Sequence, residues 1–276
     1  MLSYHRFTKS KGYQWEDIRD AFLQLCYDGV SFVTIHFTAD LDLFSRANQI
    51  RKIPVTSRGG GMVLYDSRIN NRTQNIFREN IDEIANIALK HNVVISLGTT
   101  FRPGTILDAC DSVHIEETLR QLSICRLLQS KGVKVMVENI GHITLDKIAT
   151  HSKLLSKFNA PIMPLGPLPT DAAINEDHIA NAIGATFAAY IGCTHIINCV
   201  TRYEHSKSAI TQDAIIEAIR AAKVAAHIAD LSRNINKAYL YDAFITNNRI
   251  KEHSCLTDSN NCTRCSTVCP LKLTSI

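Results

Sequence analysis

The segment Val133-Lys-Val-Met-Val-Glu138-Asn-Ile-Gly-His142 decides how the rest of the chain is read. It begins as a short β-branched run of the kind found in buried parallel strands, then turns at once to a carboxylate and, four residues later, an imidazole. The same order recurs along the 276 residues. Strand-like runs at Val30–His36, Lys52–Ser57, Val93–Gly98, Pro161–Gly166 and His195–Thr201 end at His36, Ser57-Arg58-Gly59-Gly60-Gly61, Thr99-Thr-Phe-Arg102-Pro-Gly104, Gly166-Pro-Leu-Pro-Thr-Asp171 and Glu204-His205. Between them, Trp15–Cys26, Thr73–Lys90, His114–Ser130, Thr144–Lys157, Asp177–Ile191 and Thr211–Arg233 carry apolar residues at helical spacing. Alternating strands and helices predict an α/β fold with a parallel sheet. Chemistry gathered at the carboxyl ends of many strands favours a TIM-type (β/α)8 barrel over a doubly wound sheet, whose G-x-G-x-x-G fingerprint is absent after the first strand. Six strands are two short of closure. The expectation is therefore a partial barrel over residues 1–233, two strands short, followed by a connector and a cysteine-rich tail over 234–276.

Composition narrows the function classes. The chain is 45% hydrophobic and 20% charged, the balance of an ordinary globular protein with a sizeable core. A formal net charge of +4 without a long basic run gives no nucleic-acid footprint and leaves phosphate-bearing small molecules compatible. No apolar stretch reaches the roughly eighteen residues that span a bilayer, so no membrane partner is expected. MLSYHRFTKSKGYQ has no signal-peptide core, and a cytoplasmic location is expected. Nine cysteines in a reducing compartment are then free or metal-bound, and Cys26, Cys110, Cys125, Cys193 and Cys199, each alone in an apolar segment, are expected in the core.

The tail Cys262-Thr-Arg-Cys265-Ser-Thr-Val-Cys269-Pro270 is different, because packing does not account for three thiols in a polar stretch. Thiolates suit iron–sulfur clusters and zinc, and a Pro after the last Cys occurs in ferredoxin-type runs. Three thiolates would leave one iron of a four-iron cluster open. Cys255 could instead complete a four-ligand zinc site. Ser57-Arg58-Gly59-Gly60-Gly61 offers amides and a guanidinium fork to a phosphate, or is a flexible turn; Arg102-Pro103-Gly104 is a second candidate of that kind. Glu138 and His142 share one loop and Glu204-His205 another. Imidazoles at adjacent strand ends can converge on one divalent metal, or serve as hydrogen-bonded structural residues. Asp177 is read as a helix N-cap.

Taken in order, TIH (34–36), SRGG (57–60), RPG (102–104), VMVE..GH (135–142), LGPL.TD (165–171), DH...AIGA (177–185), VT..EH (200–205), K.AAH.ADL (223–231) and the terminal cysteine trio resemble the phosphomethylpyrimidine synthase family of thiamine biosynthesis. The resemblance runs from about Gln14 to Cys269. It implies a non-classical radical S-adenosylmethionine enzyme, a carbon–carbon lyase with a (β/α)8 barrel and a carboxy-terminal cluster domain. Such an enzyme rearranges 5-aminoimidazole ribonucleotide to 4-amino-5-hydroxymethyl-2-methylpyrimidine phosphate. Position by position, the resemblance implies that His142 and His205 ligate Zn2+ or Fe2+. Cys262, Cys265 and Cys269 would hold a 4Fe-4S cluster that works with S-adenosyl-L-methionine. His36, Ser57, Arg58, Gly59, Arg102 and Glu138 would contact substrate, with Glu138 expected to act catalytically.

The sequence also departs from that pattern. Thr99-Thr100-Phe101 stands where the family has Asp-Gly-Leu, Met163 where it has tyrosine, and Asn139-Ile140 where it has Gly-Pro. The cysteines are spaced two then three residues apart instead of two then four. The family's amino-terminal domain and first two strands have no counterpart, so a homodimer or a separate amino-terminal subunit is expected to cover the open sheet. The alternatives are an enzyme like hydroxybenzimidazole synthase, or a non-catalytic relative acting as a subunit or binding protein.

Overall fold

The computed structural model describes residues 1–207, 209–256, 262–265 and 268–273. The chain divides into two compact units, Met1–Ala226 and His227–Ile276. In the first, strands β1 (Phe32–Ile35), β2 (Val94–Leu97) and β3 (Val135–Val137) form a parallel sheet in the order β1-β2-β3. Register pairs Thr34 with Ser96 and Leu97 with Val137. A second parallel pair joins β4 (Ile140–His142) to β5 (Leu165–Leu168), with a register irregularity between Ile140 and His142. Parallel order continues beyond β3 through a single bridge from Val137 to Ile162, whose carbonyl accepts from His195 and Ile196 N–H. Neither sheet closes on itself, so the architecture is an open α/β arrangement, not a complete barrel.

Helices α1 (Trp15–Tyr27), α5 (Ile81–His91) and α6 (Ser112–Ser130) supply Ile18, Phe22, Ile84, Ala88, Leu122 and Leu128 to a core shared with Ile35, Ile95, Leu97, Val135 and Val137. Burial on both faces explains why these strands read as near-continuous apolar runs. Residues before α1 also join this core: Leu2 and Tyr13 are fully buried, and the Tyr13 hydroxyl donates to Ser3 O. The remaining helices of this unit are α2 (Leu41–Ile50), α3 (Arg58–Ile69), α4 (Ile76–Glu79), α7 (Leu145–Leu155), α8 (Asp177–Tyr190) and most of α9 (Gln212–Ser232). α8 lies directly on β5, where a Cβ on Gly184 would collide with the Pro167 carbonyl. Gly166-Pro167 is a cis peptide. Among the described residues, no helix is long and apolar enough to cross a membrane.

Two expected strands are absent. At Lys52–Ser57 the amides of Lys52 and Ile53 donate to the carboxylate of buried Asp108, at 3.0 and 2.9 Å, and Pro54 has no N–H for a ladder. At His195–Thr201, His195 uses both backbone and ring on one residue, its N–H donating to Ile162 O while its Nδ1 accepts Ile162 N–H. Asn198 reaches back to Pro164 O at 2.6 Å. Replacing Asp108 with alanine should lower unfolding free energy by about 1 to 2 kcal/mol, because two amides lose a carboxylate acceptor. Urea denaturation of Asp108→Ala beside the parent measures this; equal midpoints would show that water replaces the carboxylate at no cost.

The second unit contains the end of α9, α10 (Asn236–Lys251) and the short α11 (Pro270–Leu273). Most of the expected connector is the helix α10. His227 Nε2 lies 2.8 Å from Asp242 Oδ1, and His253 Nδ1 lies 3.1 Å from Leu271 O.

Candidate active site and metal centre

β1, β2 and β3 end side by side, and their carboxyl ends carry most of the polar residues singled out above. Thr34 and Ser96 are register partners whose hydroxyls both donate to Glu138 Oε1, at 2.7 and 3.2 Å. Burial raises the Glu138 carboxyl above its ordinary range, against the pull of Thr34, Arg102 and Ser96. Burial likewise pushes the Arg102 guanidinium down, against Glu138, Glu117, Tyr4 and Glu204. Arg102 Nη1 donates to Thr99 O at 3.1 Å, while its Nε is buried without a hydrogen-bond partner.

Ser57 caps α3, its hydroxyl accepting Gly60 N–H at 3.1 Å. The triple glycine is therefore the first turn of a helix and not a flexible loop, and its lack of side chains lets other groups approach. A Cβ on Gly59 would stand 2.6 Å from His36 Nε2 and 2.7 Å from Ser3 Oγ; one on Gly60 would stand 2.6 Å from Thr100 Oγ1. The Arg58 guanidinium lies 5.1 Å from the ring centre of Tyr4, whose charge also bears on Arg102. His36 is fully buried, and neither ring nitrogen has a hydrogen-bond partner among the described residues. The same holds for Ser3 Oγ and Thr100 Oγ1. Buried polar atoms are normally paired, so this cluster of unpaired His36, Thr100 and Arg102 groups has the character of a site for a polar ligand.

Burial, reinforced by Arg102 and the chain's amino group, holds the His36 pKa down at about 3. The sign follows directly. An unfolded chain protonates this ring near pH 6.5 and the folded one does not, so its contribution is full above that pH and is lost as pH falls toward 3. Between pH 7 and 5 the parent should lose about 2 kcal/mol more stability than His36→Asn. Parallel losses in both proteins, followed by denaturant titration at the two pH values, would remove this assignment.

His142 closes β4 and His205 lies in the turn before α9. Their Nε2 atoms face each other at 3.5 Å, with rings edge to face at 5.0 Å. Each remaining ring nitrogen is met by a carboxylate: His142 Nδ1 lies 2.7 Å from Asp171 Oδ1, and His205 Nδ1 lies 3.2 Å from Asp177 Oδ1. Asp177 is thus the first residue of α8 and an imidazole partner, not the N-cap, a position held by Glu176. Carboxylates on Nδ1 fix both rings with Nε2 lone pairs directed inward, which is how proteins orient metal-ligating histidines. Burial lowers the His142 pKa and Asp171 opposes it. Burial pushes Asp171 up, yet the hydrogen bonds from Thr105, His142 and Ile106 hold it below the usual carboxylate range.

The segment after β2 joins the two halves. His142 N–H donates to Pro103 O at 3.0 Å, and a Cβ on Gly141, at φ 110°, would come within 2.6 Å of that same oxygen. Asp171 Oδ2 accepts from Thr105 Oγ1 at 2.6 Å and from Ile106 N at 3.0 Å. Thr34, Ser96, Thr100, Asp171 and Asp177 are site residues that sequence reasoning did not single out for these roles. For Asp171 the signal was present in the polar run after Gly166.

Cys262, Cys265 and Cys269 belong to the second unit; the first two are half-buried and the third is buried. Hydrogen bonds from Ser254 and the Cys255 backbone draw the Cys262 thiol below its ordinary value, toward the thiolate that a metal requires. Of the five cysteines expected in the core, Cys125 and Cys193 are buried, Cys26 and Cys110 are half-buried, and Cys199 is exposed.

The model of the Radical SAM ThiC family matches residues 3–254. The chain belongs to the radical SAM ThiC family. It is 34% identical over 239 residues to a phosphomethylpyrimidine synthase of Thermotoga petrophila, covering 86% of this chain and 56% of that protein. A phosphomethylpyrimidine synthase of Desulfitobacterium hafniense is 38% identical over 220 residues, covering 79% of this chain and 50% of its own length. One from Clostridium tetani is 36% identical over 232 residues. The chain thus spans about half the length of these curated relatives.

Proposed function

We propose that this member of the ThiC family takes part in making the thiamine pyrimidine, as a lyase that rearranges 5-aminoimidazole ribonucleotide. The observation that carries the proposal is the facing pair His142 and His205, each backed by its own carboxylate. That arrangement suits one divalent ion, Zn2+ or Fe2+, with open positions for substrate or cofactor atoms. Cys262, Cys265 and Cys269 would hold a 4Fe-4S cluster, a donor set of three thiols that matches such a group. When bound with S-adenosylmethionine, the cluster supplies the one-electron chemistry that begins the rearrangement.

The chain's own residues bind, orient and exclude water. Arg102 offers its unpaired Nε to an anionic oxygen, and Thr100 Oγ1 and the neutral His36 ring add polar contacts beside it. Glu138, with its carboxyl raised by burial and held in place by Thr34 and Ser96, can accept or return a proton at Oε1 or Oε2. Ser57 and Gly59 keep the first turn of α3 close to this cluster.

Anaerobic reconstitution tests the reading. About four irons per chain are expected, and Cys265→Ser should lose them. The reconstituted chain would then be given 5-aminoimidazole ribonucleotide, S-adenosylmethionine and a reductant, alone and with the amino-terminal half of the Thermotoga petrophila relative. Pyrimidine phosphate and 5′-deoxyadenosine are the expected products. A full cluster with no 5′-deoxyadenosine in either arm would instead mark a non-catalytic relative.

A further inference from the structure

A second cluster of ligand-type side chains, distinct from the His142 and His205 pair, comes from α6, α7 and the turn before α6. Cys110, His114 and His151 each present a donor atom, all within 4.8 Å of one another. His114 and His151 are buried, Cys110 is half-buried, and the two rings stack with centres 4.1 Å apart. Neither position is needed for the proposed reaction.

Hydrogen bonding fixes which nitrogens are available. Gln121 Nε2 donates to Leu97 O and Glu138 O at 3.0 and 2.9 Å, which turns its Oε1 toward Asn139. Asn139 Nδ2 donates to that oxygen at 2.8 Å and to Thr118 Oγ1 at 3.2 Å. Thr118 must accept there, since its own proton goes to His114 O. The amide is thereby oriented, and Asn139 Oδ1 faces His114 Nε2 at 3.3 Å and His151 Nε2 at 3.1 Å. Asn139 Oδ1 also accepts Ile140 N–H at 2.6 Å. A carbonyl oxygen only accepts, so an imidazole that hydrogen-bonds to it does so through a protonated Nε2 and keeps its Nδ1 lone pair. His114 Nδ1 accepts the Cys110 N–H at 3.3 Å, which places this nitrogen beside the cysteine; a metal on His114 Nδ1 would displace that hydrogen bond. Cys110 itself is held at φ 63°, an uncommon backbone state for a non-glycine residue.

We propose that Cys110, His114 and His151 form a site for a divalent cation of the zinc class. The ligands would be Cys110 Sγ and the two Nδ1 atoms. One thiol and two imidazoles are a ligand set for zinc with its fourth position left to water. Asn139 Oδ1 supplies the outer hydrogen bond that metal-ligating imidazoles characteristically make. Binding would release the Cys110 proton to solvent, which Cys110 can reach because it is half-buried. The Lys147 ammonium nearby is engaged by Ile106 O and Ala109 O at 3.3 and 3.2 Å, and Asp111 and Asp146 act on Cys110 from the same surroundings. The site goes beyond the proposed reaction, since Asn139 occupies a position where the family pattern has glycine.

Cobalt(II) is the probe. The full chain carrying Cys262→Ser, Cys265→Ser, Cys269→Ser and His142→Ala lacks the other proposed ligand sets, so one equivalent of Co2+ should give tetrahedral absorption with a sulfur-to-cobalt charge-transfer band. Adding Cys110→Ser should abolish that band, and His151→Gln should weaken binding at least tenfold. A band that survives Cys110→Ser, or no binding at all, would overturn the proposal. Since changes at buried His151 can disturb folding, X-ray absorption of cobalt in the otherwise unaltered site gives a second measure. One sulfur and two imidazole nitrogens are expected there, and a first shell without sulfur would refute it.

Discussion

Replacing His142 with alanine should lower the chain's affinity for a divalent ion by roughly 100-fold or more. Losing an outer hydrogen-bond partner of a metal ligand already costs 10- to 100-fold, and here one of only two facing imidazoles disappears. His205→Ala should do the same, and the double variant little more, since one imidazole alone has no partner at 3.5 Å. Asp171→Asn should cost about tenfold, because the amide can still contact His142 Nδ1 but carries no charge to stabilise the ligated ring. Equilibrium binding of Zn2+ to chain carrying Cys110→Ser, Cys262→Ser, Cys265→Ser and Cys269→Ser, so that one ion is counted, gives these ratios. Parent-level affinity in the double variant would make both residues structural histidines.

Glu117→Ala should be the most destabilising single change described here, by about 3 to 5 kcal/mol. Glu117 sits on α6 with no exposed surface, accepting from Thr38 Oγ1 and Thr100 N at 2.6 Å and from Phe101 N at 2.8 Å. Burial raises its carboxyl, and those three hydrogen bonds oppose the rise. Truncation strands two buried amides and a hydroxyl. It also frees Thr99–Phe101, the stretch from which Arg102 projects. A thermal midpoint lower by roughly 10 °C is expected. Glu117→Gln should recover part of it, since one acceptor oxygen remains. A shift under a few degrees for Glu117→Ala would mean that water enters and satisfies the amides.

How far the sequence spoke depended on whether a feature was periodic or relational. β1, β2 and β3, and helices α1, α6, α7 and α8, follow from apolar spacing, because burial is what spaced those residues. Lys52–Ser57 looked like a strand for the same reason, yet its amides answer to Asp108, more than fifty residues away, and no local pattern records that. α3 was hidden because three successive glycines argue against a helix until His36 and Thr100 are seen packed against them. His142 and His205 were legible as strand-end imidazoles, but their carboxylate partners emerge only from the fold. Glu117 gave no signal, since a charged residue on a helix is ordinarily solvated. Cys110, grouped by sequence with core thiols, takes its meaning from two imidazoles that neighbour it in space.

Asp171 divides its two oxygens between different tasks. One fixes the His142 ring, while the other takes the Thr105 hydroxyl and the Ile106 amide at the end of the segment that carries Arg102. A cation drawn to His142 would polarise that ring and tighten its hold on the shared carboxylate, thereby stiffening the arm from which the guanidinium reaches. The traffic runs both ways by thermodynamic necessity: whatever factor the ion lends to anion affinity, the anion returns to the ion. With both proposed ligands bound, a single side chain would couple two groups of opposite charge, and the protein would favour the state in which both are present over either alone.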